Sequence, residues 1–179
     1  MFRDRYDKLC WFFLIILSVS VFTILYQSRE TIDRKNSVAS KSLERELAYR
    51  AKVQLIAEIY APVELLHKEG KNQNALLKLD ELIIKYPSEA HGHILQGGIL
   101  LEMGAFDEAL SSYVAGIKLN GDYLDPKSPL SRRTEIQKLV DDGLKSVGQR
   151  LAANPGNTSI ASSRQKLNYL KSRLAGGCE

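Results

Sequence analysis

Cysteine is scarce in this sequence, which contains only Cys10 and Cys178. Two cysteines are too few for the disulfide framework that stabilises many small secreted domains. Proline and glycine are also few, at 5 and 12 residues, and they interrupt otherwise continuous stretches of helix-forming residues. Stretches that alternate apolar and polar residues, which would predict β-strands, are rare. The composition therefore predicts an all-α protein.

Recognisable catalytic and metal-binding motifs are missing as well. The sequence has no glycine-rich nucleotide-binding loop, no His-Glu-x-x-His motif and no pair of Cys-x-x-Cys motifs. His91 and His93 are two positions apart, and on a helix such neighbours point about 200° away from each other. They would therefore not converge on one metal ion. We expect a protein that is not an enzyme and that has no cofactor and no metal site.

Charge is distributed unevenly along the chain. Residues 53–124 carry ten acidic and five basic side chains, whereas residues 1–52 and 125–179 each carry ten basic ones. A nucleic-acid-binding protein would more often concentrate lysine and arginine on its folded core. We therefore expect no nucleic-acid partner.

A long uncharged segment, Leu9–Tyr26, lies near the start of the sequence. Its eighteen residues would form a helix of about 27 Å, close to the thickness of the hydrocarbon core of a bilayer. Trp11 and Tyr26 stand near its two ends, where aromatic rings favour the membrane interfaces. A buried core helix and a cleaved signal peptide are the alternatives, but Leu25-Tyr26-Gln27 is too bulky for a small-x-small cleavage site. The sequence thus favours a single transmembrane helix over residues 9–26, in contact with lipid, after a short tail over residues 1–8.

The orientation in the membrane is weakly indicated. Lysine and arginine occur in similar numbers on both sides of the apolar segment, so the positive-inside rule hardly discriminates. A short tail ahead of a long polar region is typical of a bacterial inner-membrane protein. We expect a single-pass protein of that membrane with its C-terminal domain in the periplasm.

An internal repeat follows. Gly70 and Gly104 are 34 residues apart, and so are Ala75 and Ala109. Glycine permits the left-handed conformation that ends a helix, and alanine lets the next helix approach its neighbour closely. A 34-residue period of this kind predicts stacked pairs of antiparallel helices.

At these residues the chain resembles the tetratricopeptide repeat (TPR) family. The positions that carry the resemblance are Gly70, Ala75, Pro87, Gly97, Gly104, Ala109 and Tyr113. The second unit departs from the family pattern at His93, where tryptophan is common, and at Gly121, where the closing proline is expected. The resemblance implies a right-handed superhelix of two to three helical hairpins, whose first helices line a concave surface.

The remaining boundaries follow from composition and periodicity. Residues 27–39 are polar and predict a juxtamembrane linker, and residues 40–124 hold the repeats. Pro62 is expected to interrupt or restart the first helix of that region. Residues 125–175 predict two capping helices, over 131–152 and 158–174, that form a degenerate third pair, and residues 176–179 form a tail.

The resemblance also implies a site. It places a set of side chains along one groove, namely Tyr60, Glu64, His67, His91, Ile94 and Leu101. Such a mixture suits a short peptide or a partner helix, although these positions alternatively pack on neighbouring helices. The sequence therefore predicts a membrane-tethered adaptor that binds a protein partner. The alternative is an accessory structural subunit of a larger membrane complex, such as an assembly, maturation, respiratory or secretion machinery.

Overall fold

A computed structural model describes residues 3–176, without the side chains of residues 3–13, 24–40 and 42. Over this range every regular element is helical, which confirms the all-α prediction. The helices are α1 (Arg3–Lys68), α2 (Asn72–Lys85), α3 (Ala90–Glu102), α4 (Phe106–Leu119), a short 3₁₀ helix (Gly121–Leu124), α5 (Arg133–Ala153) and α6 (Thr158–Leu174).

The chain divides into two compact units, of which the first ends at Lys52 and the second begins at Val53. Residues 14–22 of the first unit are apolar or hydroxylated, and their side chains are exposed. No helix in the described part of the chain combines the length and the apolar character needed to cross a membrane. The side chains at 9–13 and 24–26 of the predicted span lie outside the described residues, as do residues 1–2 and 177–179 of the two predicted tails. The predicted linker, residues 27–39, is helical and belongs to α1, and its side chains also lie outside that description.

The second unit contains two turns that repeat each other. Gly70 has φ +73° and Gly104 has φ +79°, so both glycines adopt the left-handed conformation. At the Gly70 turn the amide of Lys71 donates to the carbonyl of Leu66. At the Gly104 turn the amide of Ala105 donates to the carbonyl of Leu100, so that donor and acceptor are both shifted by 34 residues. These are the bonds of a glycine-terminated helix end. The 34-residue period of the sequence is therefore also a period of the backbone.

Small residues let the helices of the second unit approach closely. α3 packs against α2 and α4, α5 packs against α6, and α4 also contacts α6. A Cβ atom added to Gly97 would lie 2.9 Å from the ring of Tyr113, and one added to Gly116 would lie 2.6 Å from Ile94 Cδ1. Ala75 and Ala109 are fully buried. Larger side chains at these positions would force the helices apart.

The apolar core is built in two parts. The first joins the end of α1 to α2 and α3 through Ile56, Tyr60, Val63, Ala75, Leu79 and Ile99. The second, larger part joins α3 and α4 to α5 and α6, and includes Leu110, Tyr113, Ile136, Val140, Leu167 and Leu170. The C-terminal helices thus pack on the repeat region through a continuous core.

A proline and a side-chain cap mark two of the helix boundaries, whereas a second proline lies inside a helix. Pro87 lies in the turn between α2 and α3, and the side chain of Asn157 accepts hydrogen bonds from the amides of Ser159 and Ile160 at the start of α6. Pro62 lies inside α1, which continues without a break to Lys68. The expectation that Pro62 interrupts or restarts the helix is therefore wrong.

Candidate partner-binding groove

A large cleft opens between α3, the start of α4 and α5. It encloses about 620 Å³. Its apolar floor is formed by Leu101, Phe106 and Leu139, with the glycines Gly98 and Gly143 beside them. The charged residues around it are Glu102, Glu135, Lys138, Asp142 and Arg150. A cleft of this size with an apolar floor and a few polar groups has the general form of a ligand or peptide site.

A small cleft lies between the end of α1, α3 and the start of α5. It encloses about 250 Å³. The charged or ionisable residues around it are Glu64, His67, Lys68, Glu102, Arg132 and Glu135. Gly98, Glu102 and Glu135 line both clefts, so the two clefts adjoin at these residues. We refer to the large and small clefts together as the groove.

Glu135 is the most firmly held charged side chain of the groove. The buried hydroxyl of Tyr113 donates a hydrogen bond to Oε1 of Glu135, and Nη1 of Arg132 lies 3.6 Å from its Oε2. A Cβ atom on Gly98 would lie 3.2 Å from the same Oε1, so the absence of a side chain there leaves room for the carboxylate. Burial, and then the hydrogen bond to Glu135, raise the pKa of Tyr113, which therefore remains a neutral donor at ordinary pH.

Glu102 stands near Glu135 in the groove lining but is held more loosely. Its Oε1 lies 3.4 Å from Nε2 of His67, and its side chain is 63% exposed. The other ring nitrogen of His67, Nδ1, is 2.9 Å from the amide oxygen of Asn72 at the start of α2. Since carboxylates accept hydrogen bonds and have no proton to donate at neutral pH, both glutamates present acceptors to the groove.

Of the six residues that the sequence predicted to line a groove, four line one of the two clefts and two do not. Glu64, His67 and Ile94 line the small cleft, and Leu101 lines the large one. Tyr60 and His91 line neither, because Tyr60 is fully buried and His91 is only 7% exposed. Their assignment to an open groove is corrected here: both rings pack inside the molecule.

Tyr60 and His91 belong instead to a buried aromatic cluster. The ring centroids of Tyr60 and His91 are 4.9 Å apart in an edge-on arrangement, and Nδ1 of His91 is 2.9 Å from the hydroxyl of Tyr123. Burial, and then the positive charge of Arg132, lower the pKa of His91 to about 4. His91 is therefore neutral at physiological pH and acts as part of the core.

Sequence reasoning missed the contribution of α5 to the groove. Glu135, Lys138, Leu139 and Asp142 all line the large cleft, although the sequence indicated only a capping role for this helix. The sequence offered no clear signal for this contribution, because α5 contains two glycines and only one lies at a close approach. A Cβ atom on Gly143 would lie 2.7 Å from Cζ of Phe106, whereas one on Gly148 would meet nothing within 4 Å.

The chain matches no protein-family model. No curated protein is significantly similar to it.

Proposed function

We propose that this chain is a membrane-tethered adaptor that binds a segment of a protein partner in the groove. The observation that carries the proposal is the large cleft, in which the partly exposed side chains of Leu101 and Phe106 lie beside the buried Leu139. When a partner side chain covers exposed apolar surface in a concave site, the burial of that surface favours binding by about 25 cal/mol per Å².

The repeated helix pairs support a TPR-like superhelix as the scaffold of this site. The two glycine turns share their backbone hydrogen bonds at a spacing of 34 residues. The large cleft lies between α3 and α5, which are the first helices of successive pairs in this arrangement. Concave surfaces formed by the first helices are where stacked helix pairs commonly bind their partners.

The segment Leu9–Tyr26 supports the tether, because it contains no charged residue. Within it, the hydroxyl of Ser20 donates to the carbonyl of Leu17, and the hydroxyl of Thr23 donates to the carbonyl of Ser20, each at 2.9 Å. Such bonds satisfy hydroxyl groups within their own helix, as a hydrocarbon environment requires. We place the groove outside the cytoplasm of a bacterial cell, as the sequence predicts.

Site-specific photo-crosslinking in cells tests the adaptor proposal. A photoreactive benzoylphenylalanine replaces Lys138, an exposed residue at the edge of the large cleft, or Ser162, an exposed serine on α6 outside both clefts. We expect a discrete covalent adduct of larger mass at Lys138 and none at Ser162. Equal adducts at both positions, or none at either, would contradict the proposal.

The tether is tested by removing residues 1–26 from the same Lys138 derivative. Tethering raises the effective concentration of a membrane-associated partner, so weak contacts in the groove suffice only while the chain is anchored. We expect the truncated chain to leave the membrane fraction and to lose most of the adduct. An unchanged adduct yield from a truncated, soluble chain would show that the tether is not needed.

A further inference from the structure

Two carboxylates occupy the place where the two clefts adjoin. Glu102 and Glu135 line both clefts, and the apolar side chain of Leu101 lies next to Glu102 on α3. Any segment that covers the apolar floor of the large cleft and continues into the small cleft must therefore pass these two acids.

The position of Glu135 is fixed by its surroundings. Tyr113 is fully buried and holds one carboxylate oxygen by a hydrogen bond, while the bare Cα of Gly98 leaves space beside it. The Glu135 side chain is nevertheless 36% exposed. A carboxylate that is already ordered loses little conformational entropy when a cation binds, so it contributes more to affinity than a mobile one.

The balance of charge in the large cleft is acidic. Its lining has three carboxylates, Glu102, Glu135 and Asp142, against two cations, Lys138 and Arg150. The charge of Arg150 is partly neutralised by Asp107, because Nη2 of Arg150 lies 4.0 Å from Oδ2 of Asp107. Asp107 itself is not part of the cleft lining. The small cleft adds Glu64, Lys68 and Arg132, so the groove as a whole has four carboxylates and four cations, and the acidic excess is confined to the large cleft. A cationic group is therefore the complement that this cleft lacks.

Resting on the proposed function, we propose that the partner segment is a peptide that carries a bulky apolar side chain next to a lysine or arginine. The apolar side chain fills the floor formed by Leu101, Phe106 and Leu139. The cation binds Glu102 and Glu135. An acidic segment is disfavoured, because the three carboxylates of the large cleft would repel its negative charge.

Selection from a random dodecapeptide library displayed on phage tests this inference on the full-length chain in non-ionic detergent. The selection is run on the native chain and on Ser146→Trp, whose indole occupies the large cleft. We expect peptides that depend on an unfilled cleft to be enriched in an aromatic or aliphatic residue within four positions of lysine or arginine. Cleft-dependent peptides without a basic preference would overturn the inference and leave the adaptor function standing. If no peptide distinguishes the native chain from Ser146→Trp, both proposals fail.

The charge contribution is then measured by fluorescence anisotropy with one selected peptide. We expect Glu102→Gln and Glu135→Gln each to weaken binding roughly 3- to 10-fold, because glutamine keeps a hydrogen-bond acceptor and loses only the charge. Glu108→Gln, which removes an exposed carboxylate outside both clefts, should leave the affinity unchanged. Replacing the peptide's lysine by glutamate should weaken binding more than tenfold, and the effect should decrease as salt is added.

Glutamine retains an oxygen that accepts the Tyr113 hydrogen bond, so Glu135→Gln is expected to fold. If circular dichroism shows that Glu135→Gln does not fold, the affinity of Glu102→Gln tests the inference, since the side chain of Glu102 is 63% exposed and has no role in the core. Equal affinities for the native chain, Glu102→Gln and Glu108→Gln would overturn the inference.

Discussion

Acid should destabilise the second unit through His91. Its imidazole is buried against Tyr60 and bonded through Nδ1 to Tyr123. Burial, and then the charge of Arg132, lower the pKa of His91 from 6.5 to about 4. Because the folded state disfavours the protonated ring, the unfolded chain binds more protons in this range, and stability rises with pH.

The size of the effect follows from the shift. Each pKa unit corresponds to about 1.36 kcal/mol, so a change from 6.5 to about 4 contributes about 3 kcal/mol. This contribution is fully present above pH 6.5 and is lost as the pH falls from 6.5 towards 4. By pH 4.5 the loss should reach about 2.5 kcal/mol, a large fraction of the stability of a typical domain.

Urea unfolding of the full-length chain in non-ionic detergent, at pH 7.5 and 4.5, measures this loss. The comparison is with His91→Asn, whose amide stands near the position of Nδ1 but does not titrate. The two proteins have the same carboxylates. The difference between their changes in the free energy of unfolding from pH 7.5 to 4.5 therefore gives the contribution of the His91 imidazole. His93→Asn should change the pH dependence less, because burial also lowers the pKa of His93 but that side chain is less buried than His91. If the native chain and His91→Asn lose the same free energy of unfolding between the two pH values, the argument from burial is refuted.

Three further predictions concern the packing and the tether. Gly143→Ala should destabilise the fold by about 1–3 kcal/mol in urea unfolding, because the added Cβ atom would lie 2.7 Å from Phe106. Gly148→Ala on the same helix should instead stabilise the fold by about 0.5–1 kcal/mol, because its Cβ atom would meet nothing within 4 Å. Gly104→Ala should cost about 1–2 kcal/mol, because alanine is strained at φ +79°, and an unchanged unfolding midpoint would contradict this. Scrambling residues 11–25 at constant hydrophobicity should leave the photo-crosslinked adduct intact if the segment only tethers, and should abolish it if the chain is instead a subunit packed within a membrane complex.

The behaviour of α1 at Pro62 shows where local rules end. Proline inside a helix removes one hydrogen bond and costs about 3 kcal/mol, so the sequence predicted a break. In the structure Pro62 is exposed, while its neighbours Tyr60 and Val63 are fully buried in the core with α2 and α3. Burying two such side chains contributes about 1.5–3 kcal/mol each, which outweighs the penalty. Tertiary packing therefore keeps the helix continuous.

Periodicity predicted the repeat but could not predict which faces of the helices would be covered. The turns at Gly70 and Gly104 are local, since glycine spacing and helix patterning determine them. The burial of His91 is not local, because its partner Tyr123 lies in the 3₁₀ helix that follows the second repeat unit. In the folded chain this segment reaches back to the start of α3.

The large cleft depends on a similar long-range arrangement. Its floor takes Leu101 from α3, Phe106 from α4 and Leu139 from α5, and α5 follows a connecting segment without repeat character. Gly143 allows α5 to approach Phe106, and Gly98 leaves room for Glu135 beside α3. These contacts also serve the core, since a Cβ atom on Gly143 would lie 2.9 Å from Leu167 of α6, and Glu135 accepts the hydrogen bond of the buried Tyr113 hydroxyl. The contacts that pack α5 on the stack are therefore the same ones that make it a wall of the large cleft.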